Sequence, residues 1–284
     1  MSEFLNASPN AAQVEYWNSV GGDTWVRFQQ QLDRQIEPLG VEAMRSLAPL
    51  AGEHILDIGC GCGQTSWALA ERVGPAGSVL GIDISEPMLA VARGRSPGGT
   101  VIPPRFSRID AQAGDLGNSV FDAAFSRFGV MFFDDPLTAF ARIRKSLKPK
   151  GRLVFVCWRP MLENEWMRVP FDAIRTQLPP IAPADPIAPG PFALADLRRL
   201  QSLLPDAGFP TVSVVSYDTQ IGGGDLQQAT ELSLRVGPLG AALREHPGLK
   251  AEVASAVSDA LSKHMTPQGV MLGAAVWIVH AENG

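Results

Sequence analysis

Apolar and polar positions along the chain fall into two textures. In the first fifty residues Trp25, Phe28, Leu32, Ile36 and Leu39 recur at spacings of three and four, the period of one helical face, and Gly40 follows as a stop. From residue 54 onward short apolar runs alternate with helical patterns. Residues 54–58 read as a buried strand, 65–73 as a helix ended by Gly74-Pro75, and 78–83 as a second strand. Ser85, with Glu86 and Pro87 after it, has the composition of a helix N-cap and first turn. Strands are expected at 105–109, 120–126 and 152–158. Between the last two, Asp135-Pro136 should open a helix with Leu137, Phe140, Ile143 and Leu147 turned inward. This alternation predicts a parallel sheet covered by helices on both faces, and in such sheets ligands bind beyond the carboxyl ends of the strands.

The remainder is less regular. Six prolines lie between 179 and 191, which suggests an irregular crossing segment. Residues 194–204 read as a helix and 211–217 as a strand. Asp225 with Gln228 forms a capping box after three glycines. Leu249, Val253, Val257, Ala260 and Leu261 make a second helical stripe, and 271–280 a last strand. The expected organisation is an N-terminal helical lid segment at 1–50 and a domain at 51–284, with helical cap insertions near 160–200 and 222–266.

Composition narrows the class. The chain has 284 residues, 45% of them apolar and 19% charged, a globular balance. Its formal net charge of −5 makes a phosphate backbone a poor partner, and no nucleic acid is expected. The longest nearly continuous apolar run, 270–279, is too short to span a bilayer, and the first residues lack the basic and apolar regions of a secretory signal. Three cysteines, two of them at Cys60-x-Cys62, argue against a disulfide framework and fit a reducing cytoplasm. Two thiols with no histidine nearby make an incomplete zinc set, so no metal is expected. The basic run from Arg142 to Arg152 suits the C-terminal end of a helix, where cations complement the dipole.

The chemistry concentrates at Asp57-Ile58-Gly59-Cys60-Gly61-Cys62-Gly63, which ends the first strand and opens a helix. Glycines there allow a sharp turn and close approach of a ligand to the backbone, and free N–H groups at a helix start favour a polar or anionic group. The spacing is G-x-G-x-G, and an acid precedes it. That acid would repel a pyrophosphate and suit an ammonium group. Asp83 ends the second strand, where acids accept from ribose hydroxyls, and Asp110 follows the third, where an acid can accept from an exocyclic amine. Ammonium, ribose and adenine together describe S-adenosylmethionine better than a dinucleotide.

In the order and spacing of ILDIGCGCGQT (55–65), VLGIDIS (79–85), IDAQ (109–112), FDAAFSRFGVMFF (121–133) and LKPKGRLVFV (147–156), the chain resembles the class I S-adenosylmethionine-dependent methyltransferases. Within that family it is similar to the small-molecule, type 11 group that includes ubiquinone- and menaquinone-biosynthesis enzymes. The resemblance implies a Rossmann-like α/β fold: a seven-stranded, mostly parallel sheet with helices on both faces and an antiparallel last strand. It also implies a helical lid built from the N-terminus and from insertions after strands 5 and 6. Asp57, Gly59, Cys60, Gly61, Gly63 and Thr65 would face the methionine part of the cofactor. Asp83 would hold the ribose hydroxyls, Ile84 and Met88 would pack on the adenine, and Asp110, Ala111 and Gln112 would read its edge. Ser126, Arg127 and Phe128 would lie near the sulfonium and the acceptor, and Trp25 would close over the cofactor. The sequence after strand 4, Ser126-Arg127-Phe128-Gly129, departs from the Asn/Asp-Pro-Pro-Tyr-like pattern of enzymes that methylate nucleic-acid bases or protein glutamine.

The expected reaction is transfer of the sulfonium methyl to a small, apolar or aromatic acceptor, leaving S-adenosylhomocysteine, with O-, N- and C-methylation all open. No base stands out. His246, His264, Arg127 and Tyr16 are the weak catalytic candidates. Two other uses of the pocket stay open, an aminopropyltransferase-like reaction and a non-catalytic regulatory binder. The helical insertions could serve a homodimer as readily as a lid.

Overall fold

The computed structural model describes residues 10–96, 98, 101–178 and 185–284. The elements are α1 (Ala11–Trp17), α2 (Val20–Arg27), α3 (Gln29–Leu47), β1 (His54–Ile58), α4 (Gln64–Val73), β2 (Ser78–Asp83), α5 (Glu86–Gly94), β3 (Arg105–Arg108), β4 (Phe121–Arg127), α6 (Pro136–Ser146), β5 (Leu147–Trp158), α7 (Glu165–Asp172), α8 (Leu197–Asp206), β6 (Thr211–Gly224), α9 (Leu226–Ser233), α10 (Gly237–Glu245), α11 (Lys250–Ser262), β7 (Met265–Thr266) and β8 (Gly269–Glu282). The strands form one sheet in the order β3-β2-β1-β4-β5-β8-β6, with the two-residue β7 paired to β8. All pairings from β3 to β5 are parallel, and β8 runs antiparallel to both of its neighbours. The mostly parallel Rossmann-like sheet is therefore present, with β7 as an eighth strand beyond the seven expected. The core strands are buried on both faces, as their unbroken apolar runs require: Ile55, Leu56, Ala123, Ala124, Phe125 and residues 153–157 have essentially no exposure.

Three local expectations are corrected. The stripe from Trp25 to Leu39 is divided between two helices, because the chain bends at Phe28 (φ −103°, ψ 15°). Gly40 does not stop α3, which continues through Pro38 and Gly40 to Leu47. The apolar face continues through Ala43, Met44 and Leu47, all buried, and a Cβ at Gly40 would lie 2.9 Å from Arg127 Cδ, so the glycine makes room for a side chain from β4. Leu137, expected inward on α6, is 44% exposed, while Phe140, Ile143 and Leu147 are buried. Part of the proline-rich segment, residues 179–184, lies outside the described residues.

The largest departure is β6. It runs seven residues past the expected end at Tyr217, pairing with β8 as far as Gly224↔Val270. β5 stops at Trp158↔Val276, so the last turns of the β6–β8 pair project beyond the sheet as a two-stranded ribbon. Helices α7, α9, α10 and α11 pack on this ribbon around a second core that includes Ile174, Leu239, Val253, Val257, Leu261, Val270 and Leu272. Asn164, fully buried, pins the start of α7 there: its side chain donates to Arg159 O (3.0 Å) and Ala275 O (3.0 Å) and accepts from Ala275 N–H (2.9 Å). Within the span expected to be a cap insertion, 160–200, Leu194 and Leu200 pack in the main core. With α1–α3 on the other side, the carboxyl edge of β1–β4 is roofed by helices.

Candidate cofactor site

Beneath that roof is a cavity of about 110 Å³, lined from the sheet side by Ile58–Cys62, Thr65, Ile82–Ile84, Met88, Ile109–Ala111 and Arg127–Gly129. The N-terminal helices contribute Trp17, Trp25, Asp33 and Ile36, and the turn after β4 contributes Phe132 and Phe133.

The glycine loop has the backbone that the sequence demanded. Gly59, Gly61 and Gly63 have φ of +65°, +53° and +83°, the left-handed region where a Cβ is strained. A Cβ on Gly59 would stand 2.7 Å from the Cα of Gly129, so the loops after β1 and β4 touch backbone to backbone. Phe128 itself is left-handed (φ +66°), an unusual conformation for an aromatic residue. It is held by Phe128 N–H to Val156 O (3.1 Å) and Gly129 N–H to Ser126 Oγ (3.2 Å), and its ring stacks on Trp158 at 4.1 Å.

The acids occupy successive strand ends. Asp83 Oδ2 accepts from Gly61 N–H (2.8 Å) and Oδ1 from Ser85 N–H (2.8 Å), which ties the loop to the start of α5 and leaves further lone pairs on both oxygens. Burial pushes its pKa up against these donors. Asp110 Oδ1 accepts from Gln112 N–H (2.8 Å), while its buried Oδ2 has no hydrogen-bond partner. Gln112 itself does not line the cavity; its Oε1 accepts from Asp135 N–H (2.9 Å) and so joins the loop after β3 to the start of α6.

Asp57 is placed differently from the direct ligand contact expected of it. It is fully buried below the loop and lines no part of the cavity. Its Oδ2 accepts from Thr65 Oγ1 (2.7 Å) and Ser66 Oγ (2.6 Å), both in the first turn of α4, and its Oδ1 has no partner. Burial pushes its pKa up to about 6 despite those two hydroxyl donors. Its reach to the cavity runs through Thr65.

The other named residues divide. Ile84, Met88, Ala111, Phe128, Thr65, Cys60 and Trp25 line the cavity. Gly63 does not, and packs instead against Phe106 and Ala92. Ser126 is buried and acts on Gly129. Of the catalytic candidates only Arg127 faces the cavity. Tyr16 lies outside it, with Arg244 over its ring at 5.7 Å and bonded to its hydroxyl at 3.4 Å, and neither His246 nor His264 lines it. Sequence reasoning missed Asp33, Ile36, Phe132 and Phe133. Asp33 carried a signal, since it is a charged residue next to the apolar stripe of α3.

A second, smaller cavity of about 50 Å³ lies across α3, lined by Gln31, Arg34 and Gln35 of that helix and by Trp166, Met167, Leu232 and Leu239 of the cap, among others. Phe128, which lines the first cavity, stacks on Trp158 (4.1 Å), and Trp158 meets Trp166, which lines the second, at a tilt (4.9 Å).

The residues fit an adenosyl ligand. Asp110, whose buried Oδ2 has no hydrogen-bond partner, lines the cavity, Asp83 keeps spare lone pairs there, and Gly61 lacks a Cβ that would otherwise meet Met88 Cε at 2.7 Å. Residues 56–155 match the family described as "Methyltransferase domain". The demethylmenaquinone methyltransferase of Lactococcus lactis is 34% identical over 142 residues, covering 50% of this chain and 56% of that protein. An O-methyltransferase, cnsE, of Penicillium expansum is 32% identical over 196 residues, covering 66% of this chain and 62% of the other. The chain thus spans a little over half the length of these relatives. Among solved structures, phosphoethanolamine N-methyltransferase 2 of Haemonchus contortus, in complex with S-adenosyl-L-methionine, aligns over 99% of this chain and 60% of its own, with a TM-score of 0.51 and 18% identity, a likeness of fold. Residues 56–155 are thus similar to methyltransferase domains, and the fold is like that of a methyltransferase solved with S-adenosyl-L-methionine.

Among the described residues no helix is long and apolar enough to cross a membrane.

Proposed function

We propose that the protein transfers the methyl group of S-adenosylmethionine to an oxygen of a small, largely apolar acceptor. The observation that carries the reading is the row of acceptors along the carboxyl edge: Asp110 with a bare buried oxygen, Asp83 with spare lone pairs, and between them and β4 a loop open only because it is glycine. When bound, the cofactor supplies an electrophilic methyl on a sulfonium; the protein supplies orientation and a dry site. Asp110 would accept from the adenine amine and Asp83 from the ribose hydroxyls. Trp17 meets Trp25 and Phe132 edge-to-face at 5.9 and 5.0 Å, an aromatic roof that would exclude water and favour an apolar acceptor.

Oxygen as the acceptor atom is supported by the name of the Penicillium expansum relative. The lining supports a particular kind of oxygen. Among the described residues facing the cavity there is no His, Lys or Tyr, and Asp33 is engaged by two guanidinium groups. A hydroxyl that ionises in water near neutral pH, that of a carboxylic acid or an acidic phenol, needs no protein base.

The test is a panel of aromatic carboxylic acids, phenols, aliphatic alcohols and amines incubated with the protein and S-adenosylmethionine, reading release of S-adenosylhomocysteine. Turnover with acids or phenols is expected. Turnover with amines alone would overturn the assignment to oxygen, and cofactor binding with no turnover on any class would favour a non-catalytic role.

A further inference from the structure

Asp83, Asp110 and the loop account for the adenosine end of the ligand and leave two charged lining residues, Asp33 and Arg127, without a task. Asp33, Asp83, Asp110 and Arg127 are the charged side chains among the described residues of the cofactor cavity, and Arg127 is the single cation.

Its position follows from the order of the strands. Asp110 follows β3, Asp83 ends β2, the glycine loop follows β1, and Arg127 ends β4, and these strands are neighbours in that order. Neighbouring strands lie about 4.8 Å apart, so β4 stands roughly 14 Å from β3. A cofactor with adenine at Asp110 and ribose at Asp83 therefore runs its amino-acid end toward Arg127.

The guanidinium is buried but loosely matched. Nη1 donates to Gln64 Oε1 at 2.6 Å, whereas Nη2 reaches Asp33 Oδ1 only at 3.4 Å. Asp33 is committed elsewhere: Arg95 Nη2 holds its other oxygen at 2.5 Å, and Gln29 donates to the same oxygen. A guanidinium has five donors in a fork that matches a carboxylate, and here two are engaged in these bonds, one of them long. Burial weakens its hold on the proton, with Asp33 and Asp57 opposing that effect.

We propose that Arg127 is a carboxylate-binding residue whose ligand is the carboxylate at the methionine end of the cofactor, with Asp33 as its counter-ion in the free protein. The inference rests on the S-adenosylmethionine reading above. It adds a selectivity: the site distinguishes the intact cofactor from its decarboxylated form, the form an aminopropyl-transferring enzyme requires.

The experiment is calorimetric titration of the wild-type chain, Arg127→Gln and Arg127→Lys with S-adenosylhomocysteine and with decarboxylated S-adenosylhomocysteine, which keeps the amine. The wild type should prefer the carboxylated compound. Arg127→Gln should weaken that compound alone, by roughly 10- to 100-fold, the effect of one charge-assisted hydrogen bond. Arg127→Lys, which keeps the charge and loses the fork, should fall between. Unchanged affinity for the decarboxylated compound shows that the variant's site is intact. Equal weakening of both compounds would reduce Arg127 to a structural role, and weakening of neither would give its carboxylate to the acceptor; either overturns the proposal. Equal wild-type affinity for the two compounds overturns it without any variant. Failure of the wild type to bind either adenosyl compound would instead bring down the cofactor reading on which it rests.

Discussion

Replacing Asp57 with asparagine tests how the glycine loop is supported. The carboxylate is buried without a counter-ion bonded to it, and its pKa is about 6 in the fold against an ordinary 3.8. At 1.36 kcal/mol per unit, that gap corresponds to about 3 kcal/mol by which folding disfavours the ionised form. The sign follows from proton binding. Between the two values the folded state holds more protons than the unfolded chain, so stability falls as pH rises from about 4 to about 6 and stays low above it. Integrated over the two titrations, about 2 kcal/mol returns between pH 8 and pH 4.5. The asparagine that replaces it does not titrate. Its oxygen can accept from Thr65 and Ser66, while its amide nitrogen would sit where Oδ1 now has no partner, adding a pH-independent cost of about 1–2 kcal/mol. Urea unfolding of both proteins at pH 8 and pH 4.5 should therefore show the difference between wild type and Asp57→Asn shifting by about 2 kcal/mol in favour of the wild type at the lower pH. A difference independent of pH would refute the placement of a strained, titrating carboxylate under the loop.

The remaining predictions concern the loop and its partners. Asp83→Ala should weaken S-adenosylhomocysteine by about 1–3 kcal/mol in calorimetry, and also lower thermal stability, because Gly61 and Ser85 N–H lose their acceptor. Gly59→Ala should cost more in urea unfolding than Gly61→Ala: the first drives a Cβ into the backbone of Gly129, about 2 kcal/mol or more, whereas the second meets only the flexible end of Met88 and bears mainly the left-handed penalty of about 1–2 kcal/mol. Equal costs would mean that the two loops do not touch. The thiols of Cys60, Cys62 and Cys157 are all buried, and burial pushes Cys62 up to about 12. Ellman's reagent at pH 8 should leave the native protein unreacted and label three thiols in urea.

Much of the cofactor half was legible because it is local. The strands at 54–58 and 78–83 have the bounds expected of them, and Ser85 and Asp225 cap their helices as read, accepting from Met88 N–H (3.4 Å) and Gln228 N–H (2.8 Å). What escaped depends on partners distant in sequence. Gly40 looked like a stop because its purpose, room for Arg127, lies 87 residues further along the chain. β6 looked finished at Tyr217 because the polar Asp218, Thr219 and Gln220 and the glycines after them resemble a turn; only pairing with β8 makes them a ribbon. The cluster of Asp33, Arg95 and Arg127 joins three segments that no spacing rule connects. Asp57 was legible as important and not as hidden, since strand ends alternate faces and the sequence does not tell whether a side chain lies above or below the turn that follows.

The most direct measurement of the central claim is calorimetric titration of the purified protein with S-adenosylhomocysteine, with NADH as the control. Saturable micromolar binding of S-adenosylhomocysteine alone is the expected result. Binding of NADH without S-adenosylhomocysteine would contradict the assignment of the glycine loop, Asp83 and Asp110 to an adenosyl-methionine ligand.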